Sequence, residues 1–164
     1  MKFLLLALLL LPFAADATTL SNFELTDQNV QRRSYQFPRK KVTVMTVADH
    51  KGSDQLGPWI QAIYDRYQTR IDIDGIADVS IIAKPFHNFF RSAFRKKLTR
   101  SVLLDWEGNV VKQFAYKKGI ANLYVIGTDG RILCHLSGPV TPALQQQIFG
   151  EIDRAFAANG SPAR

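Results

Sequence analysis

Residues 44–67, VMTVADHKGSDQLGPWIQAIYDRY, decide how the chain is read. They begin inside a β-branched, nearly continuous apolar run at 42–48 (VTVMTVA), the pattern of a central strand covered on both faces. The run breaks into the polar turn Asp49-His50-Lys51-Gly52-Ser53-Asp54. A helix follows: Pro58 stands near its first position, where a missing N–H costs little, and Trp59, Ile60, Ile63, Tyr64 and Tyr67 recur at helical spacing. A strand that leads through a polar turn into a helix is one unit of an α/β sheet, and the turn is a common place for chemistry.

Outward from this unit, residues 21–27 (SNFELTD) are strand-like. Residues 28–41 are polar and basic and read as a loop with room for an edge strand. Residues 79–83 (VSIIA) are predicted as a second buried strand. Residues 85–99 are predicted as a helix, with Phe86, Phe90, Phe94 and Leu98 in a stripe at spacing four and Phe89 and Ala93 beside it. Residues 101–105 (SVLLD) are strand-like and lead into a turn at Glu107-Gly108-Asn109. Residues 122–127 and 131–136 are strands flanking Thr128-Asp129-Gly130, and the Asp-Gly pair tolerates the positive φ of a tight hairpin. Thr141-Pro142 starts a last helix, with Leu144, Ile148, Ile152 and Phe156 as its buried stripe. The expected fold is α/β: a central mixed β-sheet flanked by helices, closed by a C-terminal β-hairpin plus helix.

The first residues, MKFLLLALLLLPFAADA, have the form of an export signal. Lys2 precedes an apolar run, Pro12 breaks it, and Ala15-Asp16-Ala17 offers small residues for cleavage. The run is shorter than the roughly 20 residues a membrane span needs. The expected organisation is a signal peptide at 1–17 and one domain at 18–164, periplasmic or secreted, with no transmembrane segment once the signal is removed. The chain carries a net charge of +7, and loss of Lys2 and Asp16 together leaves that unchanged. A basic exported chain without a basic-aromatic nucleic-acid motif suits anionic surfaces or acidic partners better than nucleic acid. Cys134 is the one cysteine, so no internal disulfide can form.

The element order resembles the thioredoxin-like fold over residues 23–156. Residues 42–59 resemble the strand, active-site turn and helix of thioredoxins and peroxiredoxins. Residues 119–132 resemble the segment that carries the family's cis-proline into its hairpin, and Asp105-Trp106-Glu107-Gly108-Asn109 resembles the D-x-x-G turn of exported redoxins. Among these, the closer resemblance is to the YtfJ-like periplasmic proteins, through Asp65-Arg66-Tyr67-Gln68-Thr69, Phe90-Arg91-Ser92, residues 105–110 and the block from Thr128 to Pro142. That family supplies no activity to carry over. The departures from the wider superfamily are specific. Dithiol exchange needs a low-pKa thiolate at a helix N-terminus and a resolving thiol close by, and residues 49–58 hold no cysteine. The cis-proline position falls on Ala121, where a cis bond would cost about 2.5–4 kcal/mol, so the loop is expected to be trans.

The resemblance implies a retained scaffold without its dithiol, and hence a redox-inactive binding or accessory module for a protein or small ligand. The candidate ligand or partner loop is Asp49, His50, Ser53, Asp54, Trp59 and Ala121, although Ser53 or Asp54 alone would serve as a helix cap. A metal held by Asp49, His50 and Asp54 lacks any known ligand spacing, and neither metal nor cofactor is expected. The enzyme alternative is a single-cysteine oxidoreductase or peroxidase acting through Cys134. That residue alternates with Ile132 and Leu136 as a core residue would, and His135 points to the opposite face. A basic patch at Arg91, Arg95, Lys96, Lys97 and Arg100 is either a solvated face or a docking surface for an anionic partner.

Overall fold

The structure, a computed structural model, describes residues 18–158; the export signal expected at 1–17 lies outside the described residues. All seven strands belong to one mixed sheet of order β2-β1-β5-β4-β3-β6-β7. In chain order these are β1 (Phe23–Asp27), β2 (Arg32–Tyr35), β3 (Thr43–Ala48), β4 (Asp72–Asp78), β5 (Leu103–Asp105), β6 (Asn122–Ile126) and β7 (Ile132–Ser137). The helices are α1 (His50–Ser53), α2 (Leu56–Tyr67), α3 (His87–Lys97), α4 (Val111–Phe114) and α5 (Pro142–Ala158). Strand β4 runs parallel to β3 and to β5, through crossovers that contain α2 and α3, whereas β6 and β7 join as an antiparallel hairpin.

Every residue of β3 is buried. Its side chains alternate between two apolar clusters, so each face needs its own cover. Val44, with Leu123 and Val125 of β6, packs under Trp59, Ile63 and Tyr67 of α2 and Ile148, Ile152 and Phe156 of α5. Met45 and Val47, with Tyr124 and Ile126 of β6, meet Phe23, Tyr35 and the short helix α4 on the other side. Helices α2 and α5 are tied together by Tyr67, whose hydroxyl lies 2.9 Å from Asp153 Oδ1, and by Arg66, whose guanidinium reaches Asp153 Oδ2 at 2.9 Å.

The hairpin and the last helix form as their residues dictate. Gly130 takes φ +89°, and a Cβ there would lie 2.8 Å from the ring of Phe37. The Thr141 hydroxyl accepts from the Leu144 N–H at 3.2 Å and caps α5, whose Ile148, Ile152 and Phe156 are buried as expected. The edge strand expected within 28–41 is β2.

One expectation fails. Residues 79–83 are no strand: the second parallel strand is β4, just before them, and Ile81 is 93% exposed. The sequence of β4, DIDGIAD, reads as polar. It is a strand because β3 requires a parallel neighbour, which it pairs from Thr43↔Asp72 to Ala48↔Ala77. Asp78 then ends it by accepting from the Ser80 N–H and hydroxyl, which turns the chain. The aromatic stripe of 85–99 stays largely uncovered. Helix α3 forms, but none of its residues is buried, and Phe86 and Phe89 are 58% and 70% exposed.

The turn after β5 rests on one carboxylate. Asp105, 1% exposed, accepts from the backbone N–H groups of Gly108, Val110 and Val111 at 2.8–2.9 Å, while Gly108 holds φ +68°. Replacing Asp105 by Ala leaves those N–H groups buried without acceptors. It should lower the unfolding free energy by about 3 kcal/mol, read as a lower urea midpoint at unchanged slope.

Candidate functional site

Strand β3 ends at Ala48, and Asp49 caps the single turn of α1. One carboxylate oxygen of Asp49 accepts from the Gly52 N–H at 2.8 Å, and the other accepts from the Gly119 N–H at 2.8 Å. One side chain thus shapes the turn and fastens it to the loop before β6. Gln55 adds a second tie, its Oε1 accepting from the Ala121 N–H at 3.1 Å. Between the two ties Gly52 is buried, and a Cβ on it would stand 2.3 Å from the Ile120 carbonyl oxygen. The turn and the 119–121 loop are therefore in backbone contact, with no groove between them. The peptide bond before Ala121 is trans, since the cis bond among the described residues is Phe37–Pro38.

The sequence-selected loop residues divide accordingly. His50, Ser53 and Asp54 are exposed, beside the exposed Lys51, Lys117 and Lys118. Asp49 is half-buried and committed to two backbone amides. Trp59 and Ala121 are fully buried and offer a ligand no surface; the Trp59 indole N–H donates to the Gly138 carbonyl at 2.9 Å. Neither Ser53 nor Asp54 caps the long helix α2. Ser53 Oγ instead donates to the His50 carbonyl at 2.7 Å. Gln55 and Gly119 close the turn, and sequence reasoning missed both, because neither an amide side chain nor a loop glycine announces its partner. Among the described residues no group of three His, Cys, Asp or Glu side chains is placed to hold a metal.

Asp49, Asp78 and Asp105 stand at the carboxyl ends of the adjacent strands β3, β4 and β5. Each is engaged in hydrogen bonds that hold a turn. Burial opposes ionisation of Asp78, but hydrogen bonds from Ser80 and Tyr116 and the nearby Lys118 hold its carboxyl below the usual range. Burial, together with the Asp78 carboxylate, pushes the Tyr116 phenol up, so it stays a neutral donor.

Cys134 lies on β7, outside β6, so a full strand separates it from β3 and the turn. It is half-buried against the cluster beneath α5. Burial, reinforced by the Glu151 carboxylate and opposed by Arg154, pushes its thiol up to about 11. His135 points to the other face, stacked on Tyr124 with ring centroids 4.3 Å apart. Asn122 fixes its tautomer: the amide nitrogen donates to the carbonyls of Lys117 and Ile120, so Oδ1 faces His135 Nε2 at 3.0 Å and Nε2 carries the hydrogen. Burial and Lys117 hold the His135 pKa below its ordinary value.

The basic patch is not one surface. Arg91 lies over the Trp106 ring at 5.6 Å, Arg95, Lys96 and Lys97 project to solvent, and Arg100 lies over Tyr64 at 4.9 Å. Arg100 there borders an open cleft of about 370 Å³ between β2 and the start of β4, where Arg39 pairs with Asp72 at 2.9 Å.

No protein-family model matches the chain, and no curated protein matches it in sequence. Solved structures do. The pneumococcal exposed lipoprotein thioredoxin of Streptococcus pneumoniae is similar at TM-score 0.65 and 12% identity, over 82% of this chain and 99% of that one. StoA from Bacillus subtilis is similar at 0.60 and 14%, over 82% and 98%. A thiol:disulfide interchange protein of the thioredoxin family from Chlorobium tepidum is similar at 0.58 and 14%, over 86% and 97%. At these identities the likeness shows the fold, which is thioredoxin-like.

Two outcomes follow from this geometry. Gly52→Ala should destabilise the protein by about 1–3 kcal/mol, because the methyl group meets a backbone carbonyl that must shift; chemical denaturation reads it. Native Cys134 should react with iodoacetamide at neutral pH about 100-fold more slowly than in the unfolded chain, since its pKa is about 11 against 9.0. The folded rate should keep climbing until the pH approaches 11.

Proposed function

We propose that this chain is an exported, redox-inactive branch of the thioredoxin-like fold, akin to the YtfJ-like periplasmic proteins, that works as a binding or accessory module for a protein or small ligand. The observation that carries the reading is the closure of the turn. Where thiol:disulfide proteins of this fold place a reactive thiol, this chain has Gly52 pressed on the Ile120 carbonyl, with Asp49 and Gln55 tying both sides. Neither a nucleophile nor space for a mixed disulfide is provided there. The surface left for recognition is the outside of the turn, His50, Lys51, Ser53 and Asp54, flanked by Lys117 and Lys118, and a periplasmic protein is the partner it suits. Export is supported by the leader pattern of residues 1–17 and agrees with the exposed lipoprotein among the similar structures. The single-thiol alternative finds no support in a thiol whose pKa is raised to about 11 and whose neighbouring histidine faces away.

The test is an activity measurement on purified protein. Insulin reduction by dithiothreitol and peroxide consumption should both run at the rate of the protein-free control, for the native chain and for Cys134→Ser alike. A robust rate that disappears in Cys134→Ser would overturn the proposal in favour of the enzyme.

A further inference from the structure

Among the described residues, helix α3 is the one long helix of which no residue is buried. It rests on the body through His87, stacked on Trp106 with centroids 3.9 Å apart, and through Arg91 over the same ring. Phe94 and Leu98 turn the same way and are half-buried. The opposite side carries the aromatic first turn. Phe86 and Phe89 are 58% and 70% exposed, and Ile81, in the loop leading to them, is 93% exposed. Phe89 also meets the part-exposed Phe90 edge to face at 5.5 Å, and large apolar side chains exposed along one segment mark an interaction surface.

The surrounding charge indicates what that is. Between Asp78 and Asp105 the sequence has no carboxylate and six Lys or Arg residues, in a chain whose whole net charge is +7. Three of the six, Arg95, Lys96 and Lys97, form the exposed last turn of the same helix. A second copy of this face would set cations against cations. An anionic surface with an apolar interior matches both halves: headgroups meet the basic turn while the aromatic turn reaches the acyl boundary.

We propose that this helix docks the protein on an anionic phospholipid bilayer, with Ile81, Phe86 and Phe89 inserted at the headgroup boundary and Arg95, Lys96 and Lys97 against the lipid phosphates. The docking uses other residues than those of the 49–55 turn and does not depend on the function proposed for it.

Co-sedimentation of the full chain with phosphatidylglycerol–phosphatidylcholine vesicles tests it, with hydrogen exchange of α3 as a local readout. The native chain should bind these vesicles in a salt-sensitive manner, bind pure phosphatidylcholine weakly, and slow the exchange of its α3 amides when bound. Charge reversal at Arg95, Lys96 and Lys97 should weaken binding by about 100-fold or more. The pair Phe86→Ser and Phe89→Ser should weaken it by about tenfold without lowering Tm, because both side chains are exposed. Binding indifferent to lipid charge or to both sets of substitutions, with α3 exchange unchanged, would overturn the proposal. Equally tight binding to soluble polyglutamate that ignores the Phe substitutions would assign the face to an acidic protein and overturn it. Self-association lost in Phe89→Ser would assign it to a second copy and overturn it too.

Discussion

The complete burial of β3 organises the molecule. A strand with no side chain in water has to be covered on both faces and paired on both edges, and each demand recruits a separate part of the chain. Helices α2 and α5 cover the face that carries Val44. The β1–β2 hairpin and α4 cover the face of Met45 and Val47. The edges are taken by β4 and β6, which draw a polar-looking segment and the clear hairpin into the same sheet. The candidate site is a by-product of the same arrangement, because Asp49 is the first residue past the end of that strand.

In mixed α/β sheets the carboxyl ends of the parallel strands are where loops diverge and ligands enter. Here that edge is fastened. Asp49 binds two loops together, Asp78 holds a turn and the Tyr116 phenol, and Asp105 satisfies a buried turn of its own. Asp49 and Asp105 each accept several backbone N–H groups, and Asp78 accepts one with the Ser80 and Tyr116 hydroxyls, so all three act as structural pins on neighbouring strands. The proposed role of a binding module rests on these ties.

The exterior of the fold is uneven. The outside of the 49–55 turn mixes charges of both signs with a histidine, whereas α3 combines an aromatic turn with an uninterrupted basic one. Positive charge at a helix C-terminus also suits the helix dipole, so the basic turn costs the helix nothing while it shapes the surrounding field. Cys134, the residue that first draws the eye on a fold associated with thiol chemistry, belongs to neither surface. Its environment favours the protonated thiol, as a small apolar filler beside α5 would require.

Local pattern was enough wherever local physics decides. The apolar run of β3, the helical spacing of α2 and α5, the Asp-Gly turn before β7 and the Thr-Pro cap of α5 were all legible in the chain, and so was the absence of thiols from the turn. Pairing and packing decided the rest. Strand β4 exists because β3 needs a parallel neighbour, a long-range demand that overrides the polar appearance of DIDGIAD. The α3 aromatics are outside because the helix meets the body on its His87 and Arg91 side, and periodicity reports that a helix has an apolar side without saying whether anything meets it. That Gly52 lies against Ile120, and that Asp49 and Gln55 are ties rather than ligands, depends on contacts between residues some 70 positions apart. Such contacts leave no periodic trace, and only the folded chain brings them together.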